Sequence, residues 1–367
     1  MEEDKKARVI AFYLPQFHPI VENDEYWGKG FTEWTNVGKA KPLFKGHYQP
    51  RIPADLGYYD LRLPEVREAQ AEMASSAGIE GFMYWHYWFG NGKMLLEEPF
   101  QQVLKTKKPD FPFCLGWANH SWTTHSWNSS GQWKKDQTIV EQKYPGKEDY
   151  IRHFDYVLPA FRDSRYITIE GKVIFLVYAP KHCPDMKEFI ELWQELALKN
   201  GLKGIHFIGM HSGWMDDITS YYDMGFDAVN SRGLWHAEAK AIGKIRKMIQ
   251  HKIRQKMGGL MMDKYKYERI IENLFTEFDK LDNVYPTIIP QWDRSPRSGR
   301  RAVIYTGSTP KLFKKHAAEA VELIRNKTPE KKIIFLKSWN EWGEGNYMEP
   351  DIKFGAGYLD ALRDVLQ

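Results

Sequence analysis

Val173-Ile174-Phe175-Leu176-Val177-Tyr178 is six apolar or aromatic residues in unbroken sequence, with Gly171 before it and Pro180 after it. A strand with one wet face alternates polar and apolar side chains. A strand without alternation must be covered on both faces, as in a parallel sheet wrapped by helices. Short apolar, β-branched or aromatic runs also occur at Arg8–Leu14, Ile79–His86, Phe111–Trp117, Ile205–Met210, Phe226–Asn230, Tyr285–Pro290 and Lys332–Trp339, making eight candidate strands, several of them continuously apolar. Amphipathic helix patterns fall between them: Pro64–Ala77 with Pro in its first turn, Glu148–Phe161, Asp185–Asn200 ending before Gly201, and Pro310–Asn326 after Ser308-Thr309. Repeated strand and helix units of this order predict an α/β fold, a (β/α)8 TIM barrel forming a single catalytic domain over 1–367. An open doubly wound sheet is the runner-up, but no candidate strand runs into GxGxxG or a P-loop.

Residues 237–280, between strands six and seven, are too long for one barrel helix and predict a helical insertion. Within it Ile242, Ile245, Ile249 and Ile253 recur at helical spacing among Lys240, Lys244, Arg246, Lys247, Lys252, Arg254 and Lys256. The expected arrangement packs the isoleucines on the barrel and leaves the bases in solvent. An anionic membrane or partner surface is the alternative.

Composition narrows the function classes. The net charge of +4, from 52 basic against 48 acidic residues, is too balanced for whole-surface attraction to nucleic acid. No run approaches the roughly 20 apolar residues that span a bilayer, so no stable membrane insertion is expected. Two cysteines, Cys114 and Cys183, make no disulfide framework or zinc site, and both are expected reduced and buried. Met1–Lys6 lacks a secretory pattern, which predicts a cytoplasmic location. No cofactor and no metal are expected, since HxH, HxxxH and HExxH are missing. The sequence does not speak to the oligomeric state.

Aromatic residues are the outlier at 15% of the chain, with 14 Trp. In a (β/α)8 barrel the site is built where strands end. Trp27, Trp34, Trp85, Trp88, Trp117, Trp122, Trp127, Trp133, Trp214, Trp235, Trp292, Trp339 and Trp342 all fall in or just after a candidate strand's end, and only Trp193 lies in a helix. An aromatic cleft with amides, imidazoles and carboxylates suits sugars, which present an apolar C–H face and a rim of hydroxyls. Candidate substrate-binding residues are therefore Tyr13, Gln16, His18, Glu33, Trp34, Trp85, His86, Trp117, Asn119, Trp122, His211, Trp292, Trp339 and Asn340, with His120, His125, Gln291 and Asp293 nearby. A satisfied structural role is the alternative for each imidazole.

Strand eight runs directly into Asn340-Glu341-Trp342-Gly343-Glu344-Gly345. Glycosidic bond cleavage needs one group to protonate the leaving oxygen and a carboxylate to act as nucleophile or base, about 5 Å apart for retention. Glu341 and Glu344 are the candidate catalytic pair, with Glu33 and Glu349 in reserve. A capping role for Glu341 with an exposed Glu344 is the competing reading.

The stretches Ala11-Phe12-Tyr13-Leu14-Pro15-Gln16-Phe17-His18-Pro19, Gly30-Phe31-Thr32-Glu33-Trp34, Gly81-Phe82-Met83-Tyr84-Trp85-His86-Tyr87-Trp88 and Ser338-Trp339-Asn340-Glu341-Trp342-Gly343-Glu344-Gly345 resemble the WbsX family, described as glycoside hydrolase family 99-like. The resemblance extends from Arg8 to about Tyr358. Members occur in bacterial surface-polysaccharide gene clusters and were first labelled glycosyltransferases. The related family 99 endo-α-mannosidases are metal-independent, retaining barrel enzymes. The resemblance implies that Glu341 deprotonates the substrate 2-hydroxyl, giving a 1,2-anhydro sugar, and that Glu344 is the acid and then the base. Near the first strand this sequence departs from family 99, so sugar and linkage do not carry over.

Three readings follow. The first is a retaining glycoside hydrolase acting on an α-linked, mannose-like polysaccharide or glycan. The second is a glycosyltransferase or transglycosylase of surface-polysaccharide (O-antigen) biosynthesis, against which no DxD is present, only Asp216-Asp217. The third is a non-catalytic glycan-binding barrel.

Overall fold

The structure is a computed structural model that describes residues 6–124, 137–211, 217–257 and 262–367. Eight parallel strands form the barrel: β1 (Arg8–Tyr13), β2 (Ile79–Trp88), β3 (Phe113–Trp117), β4 (Lys172–Val177), β5 (Ile205–Met210), β6 (Ala228–Ser231), β7 (Val284–Ile288) and β8 (Ile333–Leu336). Neighbours in sequence are neighbours in the sheet, and β1 pairs with both β2 and β8, which closes the ring. All eight predicted strands are there, with ends shifted by a few residues. Helices cover the outside. Among them are Pro64–Ser76, Lys147–Phe161, Met186–Lys199 and Pro310–Leu323, where the sequence pattern placed them.

Burial on both faces explains the unbroken apolar strands. In β4 every residue from Val173 to Val177 is buried. Outside the barrel, Phe175 stands 4.8 Å from Trp193, which is fully buried in its helix and donates its indole N–H to the Tyr150 carbonyl at 3.0 Å. Inside, space is the limit. A Cβ built on Gly116 of β3 would stand 2.1 Å from Met83 Sδ, so the glycine is what leaves room for the Met83 side chain of the neighbouring strand.

The predicted insertion lies between β6 and β7. It comprises helices Leu234–Ile242 and Lys244–Met257, a strand Asp263–Lys266 that the sequence pattern did not indicate, and helix Tyr267–Ile271. That strand pairs in parallel with Val303–Thr306, which pairs antiparallel with Trp292–Asp293 beyond β7. The insertion thereby braces the loop after β7. It has its own small core of Ala237, Tyr265, Tyr267, Ile270, Ile271 and Leu274 against Ile289, Trp292 and Tyr305.

Only part of the isoleucine stripe packs as expected: Ile242 lies against the insertion core, and the middle of the stripe turns outward. Ile245 is 76% exposed and Ile249 is 53% exposed, whereas Lys247 is buried. Its ammonium donates to Glu238 at 2.6 Å and to the Tyr265 hydroxyl at 2.7 Å. A buried charge pair with a further hydrogen bond turns this helix, and the apolar residues on its other face go outward.

Replacing Gly116 by alanine should destabilise the barrel by about 1–3 kcal/mol, the usual cost of overpacking a filled core. Chemical denaturation checks this, and an unchanged midpoint would show that Met83 has somewhere else to go.

Candidate active site

At the C-terminal end of the barrel a cavity of about 490 Å³ opens among Gln16, Trp85, Tyr87, His120, Trp122, Tyr178, Arg232, Trp235, Glu238, Trp292, Arg294, Arg297, Lys337, Glu341 and Glu344. Strand alternation decides which side chains reach it. On β2, Trp85 and Tyr87 face the cavity, while His86 between them points outward to His153, with the two Nε2 atoms 2.8 Å apart. Burial pushes the His86 imidazole down to about 3, so it is neutral in its place behind the wall.

The indoles therefore share a level but not a direction. Trp85, Trp122, Trp235 and Trp292 line the cavity. Trp117 is buried outside the barrel, 5.2 Å from Phe189, with its N–H on the Trp88 carbonyl. Trp339 is fully buried against Phe82. Trp34 donates to the Tyr59 carbonyl and packs 5.3 Å from Trp342. Trp127, Trp133, Trp214, His125 and Asp216 lie outside the described residues.

Several other candidates hold the frame. The Tyr13 hydroxyl donates to Gln70 at 2.6 Å. Asn340 clamps β1 to the end of β8, accepting from the Leu14 N–H at 2.7 Å and donating to the Leu14 carbonyl at 3.0 Å. Asn119 does the same for Ala179, at 2.7 and 2.9 Å. His18 is buried away from the cavity, and burial lowers its pKa. The His211 carbonyl accepts from Arg232 Nε at 3.2 Å. Gln16 does line the cavity, with its buried Nε2 unpartnered.

The two proposed catalytic glutamates are both brought to the cavity, by way of β8 and the 3-10 turn Trp342–Glu344. Arg297 joins them. Its Nη1 lies 2.8 Å from Glu344 Oε1 and 3.3 Å from Glu341 Oε2, while Nη2 donates to Glu33 Oε1 at 2.9 Å. Two oxygens on one nitrogen at those distances stand at most about 6 Å apart, below the roughly 6.5–9.5 Å of inverting pairs and compatible with the roughly 5 Å of retaining ones. Glu33 is fully buried behind this layer, where Oε1 also accepts the Gly343 N–H at 2.7 Å. It orients Arg297 and the turn rather than facing the cavity.

Charge divides the carboxylates. Burial would raise the Glu344 pKa, but Arg294 Nε at 3.2 Å, Arg297 and Lys337 Nζ at 3.9 Å outweigh it and hold the group well below the usual carboxylate range. Burial raises Glu341, and the pull of Arg297 does not cancel that. Burial likewise pushes Glu33 up to about 7. Glu349 is a buried anchor that accepts from Tyr59 at 2.8 Å, Gln70 at 2.6 Å and the Trp342 indole at 2.6 Å, and burial pushes it to about 7.

Sequence reading did not single out Arg232, Arg294, Arg297, Lys337, Tyr87, Tyr178 or Glu238. Signals existed: Arg294 and Arg297 follow β7 in Gln291-Trp292-Asp293-Arg294-Ser295-Pro296-Arg297, and Lys337 interrupts an apolar strand end.

A family model described as Glycosyltransferase WbsX matches residues 9–362. The chain belongs to the WbsX family. Two relatives from Xanthomonas campestris pv. campestris, both described as uncharacterized protein WxcX, match the whole chain, at 32% identity in strain B100 and 34% in strain ATCC 33913. The chain spans half the length of each. Among solved structures, a glycoside hydrolase-like protein superposes with a TM-score of 0.61 at 15% identity, covering 100% of this chain and 96% of that one. The GH99 endo-alpha-mannosidase from Bacteroides thetaiotaomicron does so at 0.56 and 14%, with the same coverage. The fold is thus that of both, and the family is that of WbsX. Among the described residues no helix is long and apolar enough to cross a membrane.

Two outcomes follow from this geometry. A Cβ on Gly343 would stand 2.0 Å from Glu33 Oε1 and 3.0 Å from Arg297 Nε. Gly343→Ala should therefore displace Arg297 and lower activity at least tenfold with a smaller loss of stability, read by kinetics alongside thermal denaturation. For Glu349 the folded pKa is raised, so the native state binds more protons than the unfolded chain between about 4.5 and 7, and its contribution to stability falls as pH rises through that window. The unfolding free energy of Glu349→Gln relative to wild type should improve from pH 4.5 to 7. A pH-independent difference would show that folding does not raise the Glu349 pKa.

Proposed function

We propose that this chain is a carbohydrate-active enzyme that breaks an α-linked glycosidic bond with Glu341 and Glu344 and passes the glycosyl unit to a sugar hydroxyl. The observation that carries the reading is the pair of cavity-facing carboxylates on one guanidinium nitrogen, beneath indole and phenol rings suited to sugar C–H faces. The family description as glycosyltransferase supports transfer ahead of hydrolysis, the reverse of the order expected from the sequence. Hydrolysis is the second reading, favoured by the barrel shared with an endo-alpha-mannosidase.

In this proposal Glu341 accepts the proton of the substrate 2-hydroxyl. Its raised pKa suits a general base, whose efficiency peaks near the working pH. The 2-oxygen then attacks C1 as the C1–O bond to the leaving sugar breaks, and that oxygen takes its proton from Glu344. Next, Glu344 removes the acceptor's proton while the acceptor oxygen opens the 1,2-anhydro ring from the opposite face, and Glu341 returns its proton to O2. Two inversions at C1 retain the anomer. Glu33 and Arg297 transfer no proton in this scheme. They hold the two carboxylates at their spacing.

Glu341→Gln and Glu344→Gln should each lower turnover of an α-linked oligosaccharide by roughly 10²- to 10⁴-fold, the usual contribution of a general acid or base. On a dinitrophenyl glycoside, whose leaving group needs no proton, Glu344→Gln should recover most of the first-step rate and Glu341→Gln should not. Product analysis by NMR, with a sugar acceptor present and absent, separates transfer from hydrolysis. Full activity in both variants would exclude the carboxylate pair.

A further inference from the structure

The cavity holds more positive charge than its carboxylates use. Among the described residues four cations line it: Arg232, Arg294, Arg297 and Lys337. Glu238, also on the lining, is already engaged, accepting from Lys247 at 2.6 Å and from the Tyr305 hydroxyl at 2.7 Å. Among the described residues three carboxylates remain to balance the four cations, namely Glu341, Glu344 and the buried Glu33. Even with all three ionised, one positive charge is left over among those residues. Burial raises both Glu33 and Glu341, which widens the excess.

The surplus has a location. Arg297 is shared among the three glutamates, whereas Glu344 is the one carboxylate among the described residues within about 4 Å of Arg294 and Lys337, the latter at 3.9 Å and beyond hydrogen-bond reach, and both also pull on Glu341 from farther away. Lys337 is buried, with Nζ 5.0 Å from the Trp292 ring centroid. Arg232 pairs with no carboxylate among the described residues. It donates to the His211 carbonyl, and its guanidinium carbon lies 5.5 Å from the Tyr178 ring. Gathering cations in a partly buried cleft is costly unless an anion completes them. Three cations are more than the hydroxyls of a neutral sugar need, since amides and aromatic faces already serve them.

We propose that the glycan accepted at this site carries an oxyanion, a uronate carboxylate or a phosphate, held among Arg232, Arg294 and Lys337. Guanidinium groups match the planar oxygens of either anion with paired N–H donors. The inference rests on the glycan-processing reading and names its substrate class.

It also resolves a conflict within that reading. A general acid must carry a proton near neutral pH, yet Arg294, Arg297 and Lys337 hold the Glu344 carboxyl well below the usual carboxylate range. An anion drawn to Arg294 and Lys337 offsets two of those cations and adds its own repulsion. Both effects move the Glu344 pKa upward. The acid becomes competent when the charged substrate arrives.

Binding of inorganic phosphate, D-glucuronate and D-mannose, read by tryptophan fluorescence and calorimetry at low and moderate salt, tests this. One of the two anions should bind at least about tenfold more tightly than mannose, with affinity falling as salt rises. Preference for phosphate points to a glycosyl phosphate or diphosphate, and preference for glucuronate points to an acidic polysaccharide. Arg232→Gln, a change away from the glutamates, should weaken the anion about tenfold and leave the thermal midpoint unchanged. Lys337→Gln should weaken it similarly, and Glu344→Gln should tighten it. Equal affinity for mannose and both anions, or anion binding untouched by Arg232→Gln, would overturn the proposal. The readout needs no turnover, so it separates the two readings. Inactive glutamate variants with no anion preference leave the enzyme reading standing alone. Active glutamate variants with anion binding leave the anion site standing alone.

Discussion

Arg297 is the residue on which the site depends. One guanidinium, almost wholly removed from solvent, meets Glu33, Glu341 and Glu344, which come from the first and last βα loops of the barrel. Removing one partner from such a cluster leaves the remaining charges uncompensated, at a typical cost of 3–5 kcal/mol. The same contacts that make the cluster costly to disturb also make its geometry specific. Glu33 fixes the guanidinium from behind and takes the Gly343 N–H, so the turn bearing Glu344 and the cation facing it are held by one carboxylate oxygen.

Around that cluster the barrel supplies stiffness by hydrogen bonds between distant segments. Asn340 joins the end of β8 to the end of β1, and Glu349 ties Trp342 to Tyr59 and to Gln70 of the first covering helix. The insertion contributes from the other side. Its strand Asp263–Lys266 supports Val303–Thr306 and, through it, the loop from which Arg294 and Arg297 project. Lys247, buried on Glu238, holds the insertion helices to that frame. A surface appendage is in this way part of what positions the cations.

Much of this was legible in the chain. Several of the candidate strands are apolar without alternation and so require cover on both faces, and eight strands separated by helices leave few arrangements besides a closed parallel barrel. Glu341 and Glu344 could be placed at its mouth because Ile333–Leu336 runs into them without a break. The tryptophans were harder. Their position along the strands was readable, but whether an indole turns inward like Trp85 or outward like Trp117 depends on the phase of a two-residue period at a barrel wall buried on both sides, and apolar residues suit either face equally.

The sequence alone therefore determined the barrel, the insertion and the two carboxylates, because local periodicity and a strand end are properties of neighbouring residues. Tertiary structure decided the charges. Arg232, Arg294, Arg297 and Lys337 come from the ends of three strands and converge only when the barrel closes, and Glu33 reaches Arg297 across 264 residues of chain. It also turned Ile245 and Ile249 outward, since Lys247 and Glu238 could find each other only once the two insertion helices were folded together. Electrostatic pairing acts through space rather than along the chain, so its outcome appears only when the fold has set the distances.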